Sequence, residues 1–565
     1  MGAKEANLIT SVSSIHESGY QRSDEEKNMP YKEKGNESIS ETSLDPALGP
    51  DTLARGLKSR HLSLIALGGS IGTGLFLGSG LILATCGPAS FLIAFIIMSF
   101  VVYNVMEYFA EIVLFRPIPG NGPIAFVNDY LSPSFGFAVG YNYWYSFSIL
   151  IGAEVTAAAM LIQYWTDAVP VAAWITILLA VIIILNFLPV KFYGETEYCL
   201  VLIKVIVLII LIITGLVIML GGAPNHDRLG FRYWKGGLAF AEHLTGGSTG
   251  RFLGFWTAII KSGFSFICGP ELISTAIGET VGPRQNGSKA ARRFIYRLIF
   301  FYVVGSLIIG VIVSSTNPRL IGDGYDASAS PFVIGIQNAG IHVLNHIINA
   351  AILTSATSAG NSFLYSSSRM LFSMAERGNA PKIFAKVNKY GVPYYSVAVS
   401  SAFGLLAYLN VSSSSATVFT WLSNLSTISG FIGWATVGVA YIRWRKAVVL
   451  NGLMDRLPYR SKLLPFGAYF VVIFLSIIII TNGYAVFFDF NIGDFLAAYI
   501  TLPIVVVLYF GHVIYSRMVL GDTDWVIPVE NIDLITHLDE IEQEELDYVV
   551  PVPKNFLERI WFWIC

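Results

Sequence analysis

From Leu62 onward the chain is a succession of long apolar runs separated by short polar stretches. A helix needs roughly 20 mostly apolar residues to cross a bilayer. Runs of that kind fall near 62–84, 88–115, 135–165, 170–189, 198–221, 252–278, 294–314, 341–375, 394–410, 416–441, 463–487 and 492–516. The pattern predicts an all-α polytopic membrane protein with twelve transmembrane helices. The eighth run is too long for one span, so its C-terminal part is expected to leave the membrane. The flanks read differently. Residues 1–56 are rich in Ser, Glu, Lys and Asn and poor in large apolar side chains, which predicts a disordered N-terminal tail. A twelve-span domain follows over 57–517. Residues 518–565 form an acidic C-terminal tail, with ten carboxylates from Asp522 to Asp547 and no Lys or Arg in that stretch.

Composition supports the same class. Of 565 residues, 54% are hydrophobic and 13% charged, about half the charged share of a soluble domain. Mean hydropathy is +0.61. A net charge of −2 gives no reason to expect a nucleic-acid partner. Cys86, Cys199, Cys268 and Cys565 are far apart and suggest neither a disulfide framework nor a zinc site. His342 and His346 have metal-ligand spacing but no evident third ligand, so they read as structural. The polar N-terminus carries no cleavable signal peptide, so the first apolar run is expected to act as the targeting signal.

Basic residues set the expected orientation, because cytosolic loops are enriched in Lys and Arg. The loop after span 6 holds Arg284, Lys289, Arg292 and Arg293. The loop after span 8 holds Arg377, Lys382, Lys386 and Lys389, and the loop after span 10 holds six further basic residues from Arg443 to Lys462. Both termini are therefore expected in the cytosol. The exception is the loop after span 5, with Arg228, Arg232, Lys235 and Arg251.

Two spans carry interruptions. Span 1 contains Gly68-Gly69-Ser70-Ile71-Gly72-Thr73-Gly74, and each glycine weakens a helix by about 1 kcal/mol relative to Ala. Unpaired backbone in a membrane is tolerated only where it lines a cavity or is buried in protein. An unwound segment there would expose N–H groups at a half-helix N-terminus, which suits a carboxylate ligand. The alternative is close helix packing through Gly74 and Gly78. Span 6 contains Cys268-Gly269-Pro270-Glu271, where Pro removes a helical hydrogen bond. The breaks lie five spans apart. That spacing predicts a five-plus-five inverted repeat with broken helices 1 and 6 and a ligand site between them.

Ionisable residues inside spans are costly, and each is a functional candidate. Glu154 lies deep in span 3 among small residues and is placed to meet a ligand amine or hold a proton. Lys204 is two turns into span 5, where a desolvated ammonium can exchange a proton. Lys261 precedes the span 6 break and is expected either to pair with Glu154 or to line the pathway. Glu271 reads as an N-terminal acid of the second half-helix, and Glu111 as a residue that snorkels to the interface. Phe264, beside the break, is either packing or a gate. The Asn410-Val411-Ser412 triplet lies in a loop too short for glycosylation to be expected.

The sequence resembles the fungal amino acid permeases of the amino acid–polyamine–organocation superfamily from about residue 53 to the C-terminus. An ordered set of stretches carries the resemblance. They include Arg60-His61, GGSIGTGLF at 68–76, GYNYWY at 140–145, Tyr193-Gly194-Glu195, Ile203-Lys204-Val205, GFRYW at 230–234, ASPFVIGIQNAGI at 329–341, LTSATSAGNS at 353–362 and STISGFIGW at 426–434. Within the family, the span 6 core from Lys261 to Glu271, the 221–234 loop and the acidic tail look most like the proline and γ-aminobutyrate permeases. The chain departs from the family at Ala110, where Gly is usual, and at Gly152-Ala153, where many members have Pro.

The resemblance implies proton symport and uptake at the plasma membrane. It implies a substrate carboxylate on Ser70, Gly72, Thr73 and Gly74, amine-side contacts from Glu154, Phe264 and Ser265, and proton coupling through Lys204; their positions in the spans make Lys261 a further substrate-binding candidate and Glu154 a further proton-coupling one. It makes Cys565 a candidate palmitoylation site. Lys4, Lys27, Lys32 and Lys34 in the N-terminal tail are candidate sites for ubiquitin ligase machinery. The leading expectation is a carrier of proline or another small neutral amino acid. An acidic or broad-range permease and a non-transporting nutrient sensor are the alternatives, and Glu154 opposes the acidic one by repelling a second carboxylate. No cofactor motif and no nucleophile–base set suggests an enzyme.

Overall fold

The computed structural model describes residues 67–548, except 119–121, 167, 279, 281, 322–329, 412–414 and 522–524, together with residue 555. The expected N-terminal tail, Arg60-His61, the tail lysines and Cys565 lie outside the described residues. The described chain is helical almost throughout. Its main helices are α1 (Leu67–Phe115), α2 (Pro123–Tyr130), α3 (Pro133–Gln163), α4 (Val171–Phe187), α5 (Val190–Leu220), α6 (Gly247–Phe266), α7 (Gly269–Gly278) and α8 (Pro283–Ile312). They continue with α9 (Pro331–Asn338), α10 (Leu344–Glu376), α11 (Tyr394–Val411), α12 (Ser415–Leu450), α13 (Phe466–Thr481), α14 (Thr501–Tyr515) and α15 (Leu538–Asp547).

Among the described residues, nine helices are long and apolar enough to cross a membrane. The first two predicted spans form one bent rod. Within α1, Gly87 takes φ 76° and ψ 164°, and Pro88 follows it. The backbone groups freed at this bend are met from a neighbouring loop: Ala89 N donates to Ala239 O at 2.9 Å, and Ala241 N donates to Cys86 O at 3.0 Å. A Cβ at position 87 would meet Leu238 O at 2.6 Å, so only glycine fits this approach. Helix α4 spans only 17 residues, and α10, although 33 residues long, is rich in Ser and Asn and too polar to count as an apolar span.

Two helix groups meet around the centre. In one, α1 packs along α6 and α8; in the other, α3 packs along α10 and α12. Helix α3 is buried on nearly every side because Gly152, Ala153, Ala157, Ala158 and Ala159 allow neighbours to approach closely. The peripheral helices α13 and α14 are the reverse: Ile473, Ile480 and Val507 are 62%, 70% and 68% exposed. Apolar faces of that kind suit a hydrocarbon boundary.

The acidic tail does not float free. Ile532, Leu534, Leu538 and Ile541 are buried against the helical body. Arg284, at the start of α8, pairs with Glu545 at 2.8 Å and also caps Leu114 O and Phe115 O at the end of α1. Arg456 binds Asp539 and Glu542. Arg116 donates to Asp533 O at 3.0 Å, and Asn286 Nδ2 donates to the Tyr548 hydroxyl at 3.0 Å. Carboxylates of the acidic segment, Glu545, Asp539 and Glu542 among them, are groups that dock it.

Candidate functional site

The glycine-rich stretch of α1 carries a local irregularity. Residues 71 and 72 leave the helix, and a π-helical turn follows over Gly74–Gly78. The carbonyls freed at the break are met by side chains from three other helices. Lys204 Nζ donates to Gly68 O at 2.5 Å, the Tyr302 hydroxyl lies 2.7 Å from Ser70 O, and Ser355 Oγ donates to Ile71 O at 3.0 Å. The second break separates α6 from α7. Ile267 is extended at ψ 151°, and Cys268 takes φ +80°, an uncommon conformation for a residue with a Cβ. The Tyr302 hydroxyl also lies 2.6 Å from Ser265 O, so one O–H proton is shared between carbonyls at the two breaks.

Close contact between the breaks depends on glycine. A Cβ at Gly72 would meet Glu154 Oε1 at 2.8 Å, and one at Gly74 would meet Ser265 Cα at 2.8 Å. Between them lies a small cavity bounded by Ser70, Gly72, Gly74, Leu150, Glu154, Phe264, Ile267 and Phe363. Glu154 is 2% exposed; its Oε1 accepts from Thr73 Oγ1 at 3.1 Å, and its Oε2 has no partner among the described residues. Ser265 Oγ is likewise buried and unpartnered. A second, larger cavity adjoins the first, with Lys261, Ser265, Phe419, Ser423 and Asn424 among its walls. Phe264 and Gly74 line both cavities, and the Phe264 ring packs edge-on to Phe419 at 5.6 Å.

The predicted site residues therefore converge, but in two chambers. Ser70, Gly72, Thr73, Gly74 and Glu154 meet at the inner one, with Lys204 behind the α1 break. Lys261 and Ser265 face the outer one, and Phe264 stands between. The expected Lys261–Glu154 pair is not formed among the described residues, since Lys261 points to the outer cavity. Glu111 does not snorkel: it is fully buried and binds Arg445, the Tyr441 hydroxyl at 2.7 Å and Ser461 N at 2.8 Å. Glu271 opens α7 as expected and accepts from Trp434 Nε1 at 2.5 Å. The Asn410 amide is buried and donates to Thr156 Oγ1 at 3.0 Å.

Sequence reading missed two central residues. Tyr302 stands unremarked within the apolar run 294–314. Glu197, fully buried on α5, was overlooked beside Glu195; its spacing of two helical turns from Lys204 was the available signal.

A helical membrane protein with two broken helices around a small, partly polar chamber has the architecture of a solute carrier. The sequence matches the amino acid permease family over residues 61–520, and the chain belongs to that family. It is a transporter, not an enzyme. It is 53% identical to the "Probable proline-specific permease put4" of Schizosaccharomyces pombe over 88% of this chain and 90% of that protein. It is 49% identical to the proline-specific permease of Emericella nidulans over 90% of this chain and 93% of that protein. The proline-specific permease of Saccharomyces cerevisiae is 51% identical over 92% of this chain and 84% of that protein.

Proposed function

We propose that this permease imports proline or another small neutral amino acid with a proton across the plasma membrane. Twelve spans form a five-plus-five inverted repeat, and both termini lie in the cytosol. The observation that carries the substrate reading is the inner chamber: a glycine-lined helix break faces a buried carboxylate oxygen with no partner. A zwitterion complements both. Its carboxylate meets backbone N–H groups at Ser70, Gly72, Thr73 and Gly74, and its ammonium meets Glu154. The apolar walls from Leu150, Ile267 and Phe363 suit a small ring without polar groups. The names of the relatives at 49–53% identity favour proline in that place. Substrate arrives through the outer cavity, where Lys261 attracts the carboxylate, and passes Phe264. Glu154 and Lys204 carry the coupling.

The test is radiolabelled proline uptake in cells lacking their own permeases. Uptake should be abolished by a protonophore. The Glu154→Gln variant should reach the surface in normal amount and lose at least about tenfold in uptake, a factor that corresponds to one charge-assisted hydrogen bond. Surface expression without uptake of any amino acid would favour a sensor. Normal uptake by Glu154→Gln would remove Glu154 from the site.

A further inference from the structure

Glu197 is a buried acid to which the proposed transport cycle gives no task. Both of its oxygens are occupied by α10: Ser358 Oγ donates to Oε1 at 2.5 Å, and Asn361 Nδ2 approaches Oε2 at 3.4 Å. The orientation of Asn361 is fixed from its other side, because its Oδ1 accepts from Asn186 Nδ2 at 2.8 Å. Its amide hydrogens therefore face the carboxylate. Glu197 and Lys204 sit on one face of α5, two turns apart, and both reach Gly68. Lys204 holds the Gly68 carbonyl, and a Cβ at that glycine would lie 2.4 Å from Glu197 Oε1.

Lys204 lies within electrostatic reach of both Glu154 and Glu197. The nearest further acid on the elements packed around them is Glu271 on α7, which faces Cys268 from the other side and accepts from Trp434. The α1 break presents carbonyls and Thr73, and α10 presents Ser358, Asn361 and Ser362. Cys268 and Tyr302, which face Glu154, are a thiol and a phenol. With both acids ionised, one cation would face two anions in a water-poor interior, an arrangement that strongly favours uptake of one proton. The two acids are not equivalent. Glu197 has donors on both oxygens, which favours its charged form; Glu154 has one donor and one bare oxygen. Unlike surroundings of this kind divide one task between two carboxylates.

We infer that Glu197 is the fixed counter-ion of Lys204, a positioning residue that leaves Glu154 as the acid that takes up the coupling proton. This rests on the proton-coupled reading above. In Glu197→Gln the only anion left for Lys204 is Glu154, which then resists protonation. The pH midpoint of proline uptake should move at least about one unit toward acid, and uptake near neutral pH should fall about tenfold. Glu197→Asp keeps the charge and should keep the wild-type midpoint even if its rate is lower. A Glu197→Gln protein whose uptake falls equally at every pH has lost only packing, and that result overturns the inference.

If Glu197→Gln fails to reach the surface, the double variant with Lys204→Gln decides the matter. A neutral pair should restore surface expression, because the cation that had lost its fixed partner is gone and Glu154 becomes neutral by taking up a proton; a double variant no better than the single one refutes the pairing. Proton movement into liposomes holding the wild-type protein separates the two levels. Proline that evokes no proton entry overturns the coupling reading and this inference together. Proton entry in the wild type with an unmoved midpoint in Glu197→Gln overturns this inference alone.

Discussion

Replacing Tyr302 with Phe removes one oxygen from the centre of the molecule and leaves the ring. That ring stacks on Phe266 at 4.5 Å and on Phe95 at 6.0 Å between centroids, and those contacts should survive. The hydroxyl does not merely fill space, since it lies within 2.7 Å of carbonyls at both helix breaks. It has one proton to share, so the substitution removes in effect one hydrogen bond and leaves a buried acceptor bare. That costs about 2 kcal/mol, or roughly 30-fold in an equilibrium constant. The cost falls on the arrangement that brings the α1 and α6 breaks together. If that arrangement is the one that binds substrate, KM for proline should rise on the order of tenfold to 30-fold. Thermal unfolding of the detergent-purified full-length protein should also show a smaller upward shift on adding proline. Uptake kinetics at matched surface expression measure the first, and a melting series with and without proline measures the second. An unchanged KM together with an unchanged proline-induced shift would refute the claim that this hydroxyl joins the two breaks. A lower melting temperature with unchanged KM would show that it stabilises all conformations equally.

Two further outcomes follow from charges paired across distant parts of the chain. Arg445→Met strands the fully buried Glu111 without its cation, an expected loss of about 3–5 kcal/mol. Surface expression and melting temperature should fall, and adding Glu111→Gln should recover much of both; a harmless single Arg445→Met variant contradicts the pairing. In the tail, the Arg456 guanidinium bonded to Glu542 holds that carboxyl below its usual range. A carboxylate depressed in the docked state contributes its full stability above the ordinary carboxylate pKa, and the contribution is lost as pH falls through the docked value. Hydrogen exchange of Leu538–Asp547 should therefore be protected equally at pH values of about 7 and 6 and lose protection only below about 4. A tail that opens between pH 7 and 6 would mean that some other group holds it.

Features that repeat along the chain were legible before the fold was known. Apolar runs reported the membrane helices, because a spanning helix must be apolar over its whole length. Glycine clusters and a Gly-Pro pair reported the breaks, because both weaken helices locally wherever they stand. What stayed hidden depends on residues far apart in sequence. Ser358 and Asn361, the donors that occupy Glu197, lie 161 and 164 residues away from it. Tyr302 acquires its role only when α8 crosses both breaks, and nothing around position 302 marks it.

The docking of the tail was hidden for a different reason. Its ten carboxylates from Asp522 to Asp547 have no cation beside them in the sequence. Asp533, Glu545, Asp539 and Glu542 find theirs in Arg116, Arg284 and Arg456, which come from three separate helix ends. The signal that was present was the apolar spacing of Ile532, Leu534, Leu538 and Ile541, all of which are buried. Glu111, Glu197 and the tail share one lesson. Each acid looked unpaired, or was passed over, because its partner lies on another element. In a chain with only 13% charged residues, an acid that persists beside an apolar surface implies a partner from elsewhere in the fold. Glu154 and Glu271 each keep one oxygen bare when every described element is in place, and of the two it is Glu154 that borders the cavity between the breaks. A buried carboxylate oxygen left open inside a cavity is the feature a substrate ammonium would complete.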